Sequence, residues 1–372
     1  MKIGAMHKLL FSDISENMIR GHYLKQDLKI IESKPLNTRA KLDLGKGCNR
    51  HCSFCYYETQ LSSKDWLIPD NARTLVGNLL DNGITQIELS GGEPTMSPYY
   101  FDIIEVIKDE FHKRDKEHYI TIVTNGAFGK DHSNIRKYCK DLKEVLISLH
   151  GTEENHNKIV KSKVAFEYII NVINYLRLSK IITRMNFVVV DKNLDTEAIN
   201  MLYDFIESKR IQQLNLLPVN YWSDAESQKG QIDLNEQQIQ IEKFLFKYEN
   251  AYATNFLNDI GFGSVQKEWS GINIRYQSYC HLNPRYHRYI KTHYDHIYDL
   301  KDWNKIYYPR DTEPKDLKLS TPGLKFEEIY DPKPITFENS IKQASKDRLV
   351  SHYKEDNCRK CEYYLICDGF KK

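Results

Sequence analysis

The sequence predicts an α/β fold: an open (βα)6 partial TIM barrel followed by a smaller C-terminal domain that contains a second group of cysteines. Short apolar stretches alternate six times with segments whose apolar residues recur at helical spacing. This alternation indicates parallel strands joined by helical crossovers. The segments that hold Cys, Gly-Gly-Glu and Asn-Gly each follow a predicted strand, and barrels of this kind collect their functional residues at the C-terminal ends of strands.

Each element of the barrel is predicted from its apolar pattern. The helix at 166–178 is the clearest, because Ile169, Ile170, Ile173 and Leu176 lie on one side of it. The predicted strands are 40–44, 86–89, 119–123, 144–149, 185–190 and 213–217. The predicted helices are 72–80, 99–111, 135–142, 166–178 and 196–207.

The chain has 372 residues, enough for one large domain and a smaller one. Residues 1–40 are predicted to form a polar N-terminal extension, and the partial barrel covers 41–220. A connecting helical region, 221–272, contains one long helix at 235–257, and the βα pattern is not expected to continue there. Residues 273–372 form the predicted C-terminal domain.

The composition is that of an ordinary globular protein, with 41% hydrophobic and 28% charged residues. The formal net charge is only +2, so bulk basicity gives no reason to expect nucleic-acid binding. The apolar runs are too short to cross a bilayer, and the first residues lack the apolar core of a secretory signal. We therefore expect a cytoplasmic protein without a membrane partner.

Three cysteines after the first predicted strand have the spacing C-x3-C-x2-C, formed by Cys48, Cys52 and Cys55. Clustered cysteines in a reducing compartment usually indicate metal binding or catalysis. Three thiolates can hold three corners of a cubane cluster, which leaves one iron open to a cofactor or substrate. The alternative is a zinc site with His51 as the fourth ligand, although zinc sites usually pair two separate two-ligand motifs.

Two motifs together resemble the radical SAM (S-adenosylmethionine) superfamily. Its signature is C-x3-C-x2-C with an aromatic residue before the last cysteine, where this chain has Phe54. Its second signature, Gly-Gly-Glu-Pro after strand two, is matched by Gly91, Gly92 and Glu93. The resemblance implies that these three residues hold the amino group of the SAM methionine. Glycines allow close backbone approach to a ligand, and a carboxylate pairs with an ammonium group.

The resemblance implies further SAM contacts at later strand ends. Asn125, after strand three, and Ser148, at the end of strand four, would approach the ribose or the carboxylate. Arg184 on strand five would contact the carboxylate, and Asn186, which faces the same way, competes for this role. Alternatively, Asn125 only forms a turn with the following glycine, and Ser148 is a core hydroxyl. The nearby histidines at 150 and 156 are expected to be structural.

The C-terminal spacing C-x2-C-x5-C resembles the auxiliary-cluster region of SPASM and Twitch radical SAM enzymes. The resemblance implies one auxiliary 4Fe-4S cluster bound by Cys358, Cys361 and Cys367, with Cys280 as the fourth ligand and a hairpin at 285–298 beside it. Three alternatives stay open. The cysteines bind zinc with Cys280 or a histidine such as the one at 281, the cluster has three protein ligands and an iron open to substrate, or Cys280 is a free thiol that donates a hydrogen atom. The cysteine at 139 is expected to be a small buried hydrophobe.

The resemblance implies that the protein reductively cleaves SAM to a 5′-deoxyadenosyl radical, which abstracts hydrogen from a substrate. It implies two 4Fe-4S clusters and an electron donor such as flavodoxin or ferredoxin. No catalytic residue is assigned beyond the cluster ligands. The preferred substrate is a ribosomal peptide side chain that is crosslinked, oxidised or epimerised. The alternatives are a small metabolite such as a sugar, nucleotide or cyclitol, or a non-catalytic iron–sulfur or zinc protein.

Overall fold

The structure is a computed structural model, and it describes most of the predicted barrel and parts of the C-terminal region. The described residues are 39–55, 66–81, 84–190, 192–219, 234–259, 271–275, 277–291, 352, 353, 358, 360, 361, 367, 370 and 371. Almost all of the predicted N-terminal extension lies outside this set. The described part of the chain contains no helix that is both long enough and apolar enough to cross a membrane.

Strands and helices alternate along the barrel as the sequence predicts. The strands are β1 (Arg39–Asp43), β2 (Gln86–Ser90), β3 (Ile120–Thr124), β4 (Glu144–Ser148), β5 (Ile182–Val189), β6 (Gln213–Pro218), β7 (Gly271–Arg275), β8 (Ile290–Lys291), β9 (His352–Tyr353) and β10 (Phe370–Lys371). The helices are α1 (Pro69–Asp81), α2 (Tyr100–His112), α3 (His132–Cys139), α4 (Glu153–Val160), α5 (Ala165–Leu178), α6 (Thr196–Glu207) and α7 (Leu234–Asp259).

The predicted α/β partial barrel is confirmed, and its sheet extends further than predicted. Strands β1 to β8 pair in sequence order, and every neighbouring pair is parallel. The expectation that the βα pattern stops after β6 is therefore wrong, because the long helix α7 leads to β7 beside β6. Only two isoleucines mark β7 as a strand, and the asparagine between them faces the barrel interior, so the sequence signal is weak.

The segment around Cys280 also differs from expectation. Residues Pro284–Tyr289 form a 3-10 helix rather than the first arm of the predicted hairpin. The chain then enters β8, which runs parallel to β7. A proline at the start of this segment favours a helical turn, and Asn283 caps it by accepting a hydrogen bond from the Arg285 amide at 3.1 Å. Residues 292–298 lie outside the described part of the chain.

The hydrophobic core lies between the outer face of the sheet and the helices. Alternate strand residues such as Leu42 and Ile87 pack against helices, as expected for period-two alternation. In α5 the side chains of Ile169, Ile173 and Leu176 are buried, which agrees with the predicted apolar stripe. The other strand residues face the barrel interior, and many of them are polar. A polar interior is therefore available to a ligand that enters from the C-terminal edge of the sheet.

The short helix α4 (Glu153–Val160) was not predicted. Its sequence has only two apolar residues, Ile159 and Val160, so it lacks an amphipathic pattern. Two glutamates in the first turn, which favour the positive end of a helix dipole, were the available signal. This helix matters for the site because it supports the first cysteine loop.

Candidate functional site

The first cysteine loop, residues 48–55, follows β1 at the C-terminal edge of the sheet. The Gly-Gly-Glu loop after β2 is hydrogen-bonded to the chain that leads into it. The amide of Gly92 donates to the carbonyl of Gly45 at 2.8 Å, and the amide of Glu93 donates to the carbonyl of Gly47 at 2.8 Å. These two bonds fix the position of one loop relative to the other.

Both glycines of the Gly-Gly-Glu loop are required by this contact. Gly91 has φ of +128°, and a Cβ there would lie 2.4 Å from the Gly45 carbonyl oxygen. A Cβ on Gly92 would lie 2.4 Å from the Gly47 carbonyl oxygen. Any side chain at either position would push the loops apart. Close approach to a ligand was the expected reason for these glycines, whereas the structure shows close approach to the cysteine-bearing segment.

Glu93 connects the C-terminal ends of β2 and β3. Its side chain is 0% exposed. Oε1 accepts hydrogen bonds from the hydroxyls of Thr95 at 2.6 Å and Thr124 at 2.9 Å, and Oε2 accepts one from the Asn125 amide at 2.7 Å. Burial raises the pKa of the Glu93 carboxyl, and these hydrogen bonds oppose that shift. Oε2 accepts fewer hydrogen bonds than Oε1. It can therefore accept a hydrogen bond from one further donor.

Asn125 is directed at the first cysteine loop. Its amide nitrogen donates to Asn49 Oδ1 at 3.0 Å and lies 3.6 Å from Cys48 Sγ. Its Oδ1 accepts a hydrogen bond from the Ala127 amide at 3.0 Å, which is the turn role considered from the sequence. Asn125 therefore connects the cysteine loop with the end of β3, a role that the sequence did not indicate.

The three thiols of the first cysteine loop lie close enough to affect one another electrostatically. Burial, together with the nearby charges of Glu93 and Cys55, raises the pKa of Cys48 to about 11. Burial raises the pKa of Cys52 to about 12, with the other two thiols contributing. Without a cation the thiols of Cys48 and Cys52 therefore stay protonated at neutral pH. A metal or cluster is the group that such a set of donors fits, because it would stabilise all three thiolates at once.

No three His, Cys, Asp or Glu side chains of the described chain already converge on a single metal-ion position. The features of this loop that suit a cluster are the spacing of its cysteines, their electrostatic proximity and the N–H groups near Cys48. The Asn125 side chain is directed at Cys48, and the backbone amide of Arg50 lowers the pKa of the same thiol. Such N–H···S contacts are a usual feature of iron–sulfur sites.

Helix α4 and two histidines, His150 and His156, pack against the cysteine loop. The Ser53 amide donates to the Ile159 carbonyl at 3.1 Å. The ring of Phe54 meets the ring of His150 edge-on, with centroids 4.7 Å apart. His150 in turn donates its backbone amide to His156 Nδ1 at 3.1 Å. Both histidines are buried and have structural contacts, as expected from the sequence.

A row of polar side chains crosses the barrel interior near its C-terminal edge. The strand register aligns Ser148 with Asn186, Asn186 with Asn215, and Asn215 with Asn273. Asn215 donates to Asn186 Oδ1 at 2.8 Å, and Asn273 donates to Asn215 Oδ1 at 3.2 Å. Because its oxygen is engaged, Asn186 can offer its amide nitrogen to a ligand. Ser148 and Asn186 are half-buried, whereas the other two members are buried.

Arg184 lies deeper in the barrel than this row and is fully buried. Its Nη1 donates to Glu144 Oε1 at 2.6 Å and lies 3.7 Å from Glu88 Oε2, and its Nε donates to Gln213 Oε1 at 2.7 Å. Glu144 is the first residue of β4, so this ion network belongs to the N-terminal half of the barrel. This position argues against the expected contact between Arg184 and the SAM carboxylate, because two carboxylates already neutralise the guanidinium. Asn186 is the better candidate.

The four cysteines assigned to the auxiliary cluster are also neighbours. Burial raises the pKa of Cys280, and electrostatic interactions with Cys367, Cys358 and Cys361 raise it further. The Cys361 amide donates to the Cys358 carbonyl at 2.9 Å, so this pair forms a tight turn. Cys367 packs against the hydrophobic core of the barrel. Antiparallel strands β9 and β10 flank this segment in sequence. Cys139, by contrast, is buried in the core, as expected.

Residues 42–206 match the family model described as the Radical SAM superfamily. The match begins in β1 and ends in α6, so it includes both the cysteine motif and the Gly-Gly-Glu motif that carried the resemblance.

Two curated relatives and one solved protein illustrate the range of similar proteins. A probable GTP 3′,8-cyclase from Sulfurisphaera tokodaii is 25% identical over 201 residues, 53% of this chain and 60% of that protein. The subtilosin biosynthesis protein AlbA from Bacillus subtilis is 26% identical over 162 residues, 43% of this chain and 35% of AlbA. The chain thus spans about 60% of the length of the cyclase it matches, and less of AlbA.

The fold is similar to that of Streptococcus suis SuiB. The structure of SuiB bound to S-adenosylmethionine gives a TM-score of 0.55 at 18% identity, covering 96% of this chain and 79% of SuiB. The structure bound to its precursor peptide SuiA gives a TM-score of 0.56 at 16% identity, covering 94% of this chain and 75% of SuiB. At this level of identity the likeness establishes the fold.

Proposed function

We propose that this chain is a radical SAM enzyme whose catalytic 4Fe-4S cluster is held by Cys48, Cys52 and Cys55. When bound, the cluster and SAM would supply a 5′-deoxyadenosyl radical that takes a hydrogen atom from the substrate. The observation that carries this proposal is the hydrogen-bonded contact between the first cysteine loop and the Gly-Gly-Glu loop, in the part of the chain that matches the Radical SAM superfamily model. Three thiol ligands, rather than four, leave one iron for SAM.

The chain's own residues would orient SAM from two sides. The Gly-Gly-Glu loop would receive the methionine amino group, with Glu93 Oε2 as the acceptor that still has capacity. The amide nitrogen of Asn186 and the hydroxyl of Ser148 would donate to the carboxylate from neighbouring strands. Asn125 would act indirectly, by fixing the cysteine loop. Arg184 would contribute to the rigidity of the barrel and make no contact with SAM.

A second 4Fe-4S cluster bound by Cys280, Cys358, Cys361 and Cys367 belongs to the same proposal. The mutual electrostatic influence of these four thiols supports it, and four cysteines match the usual ligand count of such a cluster. An auxiliary cluster suits net oxidation, because a substrate radical must lose an electron to form a crosslink or double bond. A small electron-transfer protein such as flavodoxin or ferredoxin would reduce the catalytic cluster.

The preferred substrate is a ribosomal peptide side chain. The similarity in sequence to AlbA, named for the biosynthesis of a bacteriocin, and in fold to SuiB with its precursor peptide supports this choice. A small metabolite such as a nucleotide, sugar or cyclitol is the second candidate, which the sequence match to a probable GTP 3′,8-cyclase favours.

Anaerobic reconstitution tests the enzyme assignment. The reduced protein should convert SAM to 5′-deoxyadenosine and hold about eight irons, as expected for two four-iron clusters. Replacing Cys48, Cys52 and Cys55 by Ala should abolish 5′-deoxyadenosine formation and leave about four irons. A parent protein that binds zinc, or that leaves SAM intact under these conditions, would rule out the proposal.

Co-expression tests the substrate. The protein is produced with each short open reading frame that neighbours its gene, and the peptides are examined by mass spectrometry. Loss of two hydrogens from a peptide would support crosslinking or oxidation, and uptake of deuterium from solvent would indicate epimerisation. If no peptide changes while a nucleotide or sugar stimulates 5′-deoxyadenosine release, the second candidate replaces the first.

A further inference from the structure

Arg50 lies inside the first cysteine loop, between Cys48 and Cys52, and is only 8% exposed. Its Nη1 donates to the hydroxyl of Ser162 at 3.1 Å. Its Nε is buried and makes no hydrogen bond within the described part of the chain. No Asp or Glu of that part forms a salt bridge with it. Arg184, the other deeply buried arginine, has two carboxylate neighbours.

A buried guanidinium without a carboxylate partner is costly, because desolvation removes the water that would stabilise its charge. Such a charge persists in a folded protein when another negative group is present in the functional state. Ser162, which accepts a hydrogen bond from Arg50, is neutral and cannot balance its charge. Burial, and secondly the charge of Arg50, lowers the pKa of His156, so this histidine does not balance it either. Besides Ser162 and His156, the described side chains on which Arg50 acts are the thiols of Cys48 and Cys52.

Two interactions connect Arg50 with these cysteines. Its backbone N–H lies near the Cys48 thiol and lowers the pKa of that thiol. Its positive charge acts on Cys52, where it opposes the rise in pKa caused by burial and by the other thiols. When the loop binds its cluster, the three thiolates would supply a negative group beside this guanidinium.

We propose that Arg50 supplies the buried counter-charge of the catalytic cluster and raises the reduction potential of that cluster. This inference rests on the proposed function and adds a specific electrostatic role for one residue. Adding an electron makes the thiolate-bound cluster more negative, so a fixed cation in a low-dielectric site stabilises the reduced state more than the oxidised state. Arg50 acts through the cluster and is a positioning and tuning residue rather than a catalytic one.

A redox titration of the anaerobically reconstituted full chain tests the proposal. The catalytic cluster is followed by its electron paramagnetic resonance signal, identified by its change on addition of SAM. Arg50→Gln removes the charge, Arg50→Lys retains it, and Arg177→Gln removes an exposed arginine from α5 as the matched control. Iron and sulfide content is measured for every variant.

The Arg50→Gln protein should show at least a tenfold lower ratio of reduced to oxidised cluster at the parent's midpoint, equivalent to a shift of about 59 mV for one electron. Arg50→Lys should keep most of the parent's potential, and Arg177→Gln should match the parent. An Arg50→Gln protein with full cluster content and the parent's midpoint overturns the proposal. Equal loss of cluster from Arg50→Gln and Arg50→Lys also overturns it, because the role would then be purely structural.

If Arg50→Gln fails to load a cluster whereas Arg50→Lys loads one, the charge is needed for binding and the proposal stands. Failure of the proposed function would be distinct, because the parent itself would then lack a cluster that responds to SAM.

Discussion

Glu93 Oε2 accepts a hydrogen bond of 2.7 Å from the backbone amide of Asn125, which joins the loop after β2 to the loop after β3. The same Asn125 uses its side chain to hold Asn49 in the first cysteine loop. One buried carboxylate therefore fixes the relative positions of three strand ends. These contacts give the Glu of the Gly-Gly-Glu motif a structural role that does not depend on a bound ligand.

Glu93→Gln should weaken both folding and SAM binding. A Gln side chain has one amide nitrogen, which cannot accept a hydrogen bond from the Asn125 N–H. If the amide is flipped, this nitrogen faces the hydroxyls of Thr95 and Thr124 instead. We expect a loss of about 1–3 kcal/mol in the free energy of unfolding and of about 1.5–3 kcal/mol in SAM affinity. Denaturant unfolding and calorimetric titration measure the two quantities.

The control for this variant is Glu207→Gln, which changes an exposed glutamate at the end of α6. It should alter neither quantity by more than about 0.5 kcal/mol. Unchanged SAM affinity in a folded Glu93→Gln protein would show that Glu93 is only a structural residue.

We expect replacement of Arg184 to lower mainly the stability of the protein, and replacement of Asn186 to lower mainly its affinity for SAM. Arg184→Met removes the guanidinium from two buried carboxylates, of which Glu88 keeps its ion pair with Lys41 at 2.9 Å, so we expect unfolding to become easier by about 3–5 kcal/mol. Asn186→Ala, on a half-buried side chain near the barrel mouth, should weaken SAM binding with a smaller effect on folding. Stability and SAM affinity measured on both proteins separate the roles. If Arg184→Met folded normally and lost SAM binding, the sequence-based assignment of Arg184 would be restored.

The sequence was sufficient to predict the barrel because its strands and helices have clean, different periodicities. It was sufficient for the cysteine motifs because spacing in sequence directly determines which thiols share a loop. The sequence could not decide whether Arg184 or Asn186 contacts SAM. Both residues face the barrel interior from the same strand, and they differ only in their depth within the barrel. That difference depends on register with β4 and β6, where Glu144 and Gln213 meet Arg184.

The support of the cysteine loop was equally hidden from the sequence. Helix α4 has too few apolar residues for a periodic signal, and its hydrogen bond with the loop, from Ser53 to Ile159, joins positions about a hundred residues apart. The roles of Gly91 and Gly92 also depend on a non-local contact, because the carbonyls they approach belong to the segment after β1. Pattern analysis identifies residue types that need a partner, whereas the fold determines which partner they meet.

Stability should fall as the pH drops below neutral because of His156. Burial lowers the pKa of His156 to about 3, below the usual value of 6.5. Between these two values the unfolded chain binds a proton that the folded chain does not, so the free energy of unfolding rises with pH across this window. One such group removes about 2 kcal/mol between pH 7 and pH 5.

The measurement is denaturant unfolding of the cluster-free protein at a series of pH values. His156→Asn, whose side-chain oxygen can still accept the His150 amide, should show a flatter pH dependence than the parent. The control His112→Asn changes an exposed residue at the end of α2 and should keep the parent's slope. Equal slopes for all three proteins would show that the pKa of His156 is not lowered in the folded state.

Cys280→Ala distinguishes a cluster ligand from a hydrogen-atom donor. If Cys280 completes the auxiliary site, the variant should lose that cluster or change its spectrum, while cleavage of SAM without substrate continues. Cys139→Ala is the matched control, since Cys139 is buried in the core and belongs to neither cysteine motif, so it should leave the iron content unchanged. A Cys280→Ala protein with the parent's iron content and auxiliary spectrum but a changed product would indicate hydrogen-atom donation. An unchanged spectrum and an unchanged product would exclude both roles, and Cys280 would then be a neighbour of the other three thiols without a function in the site.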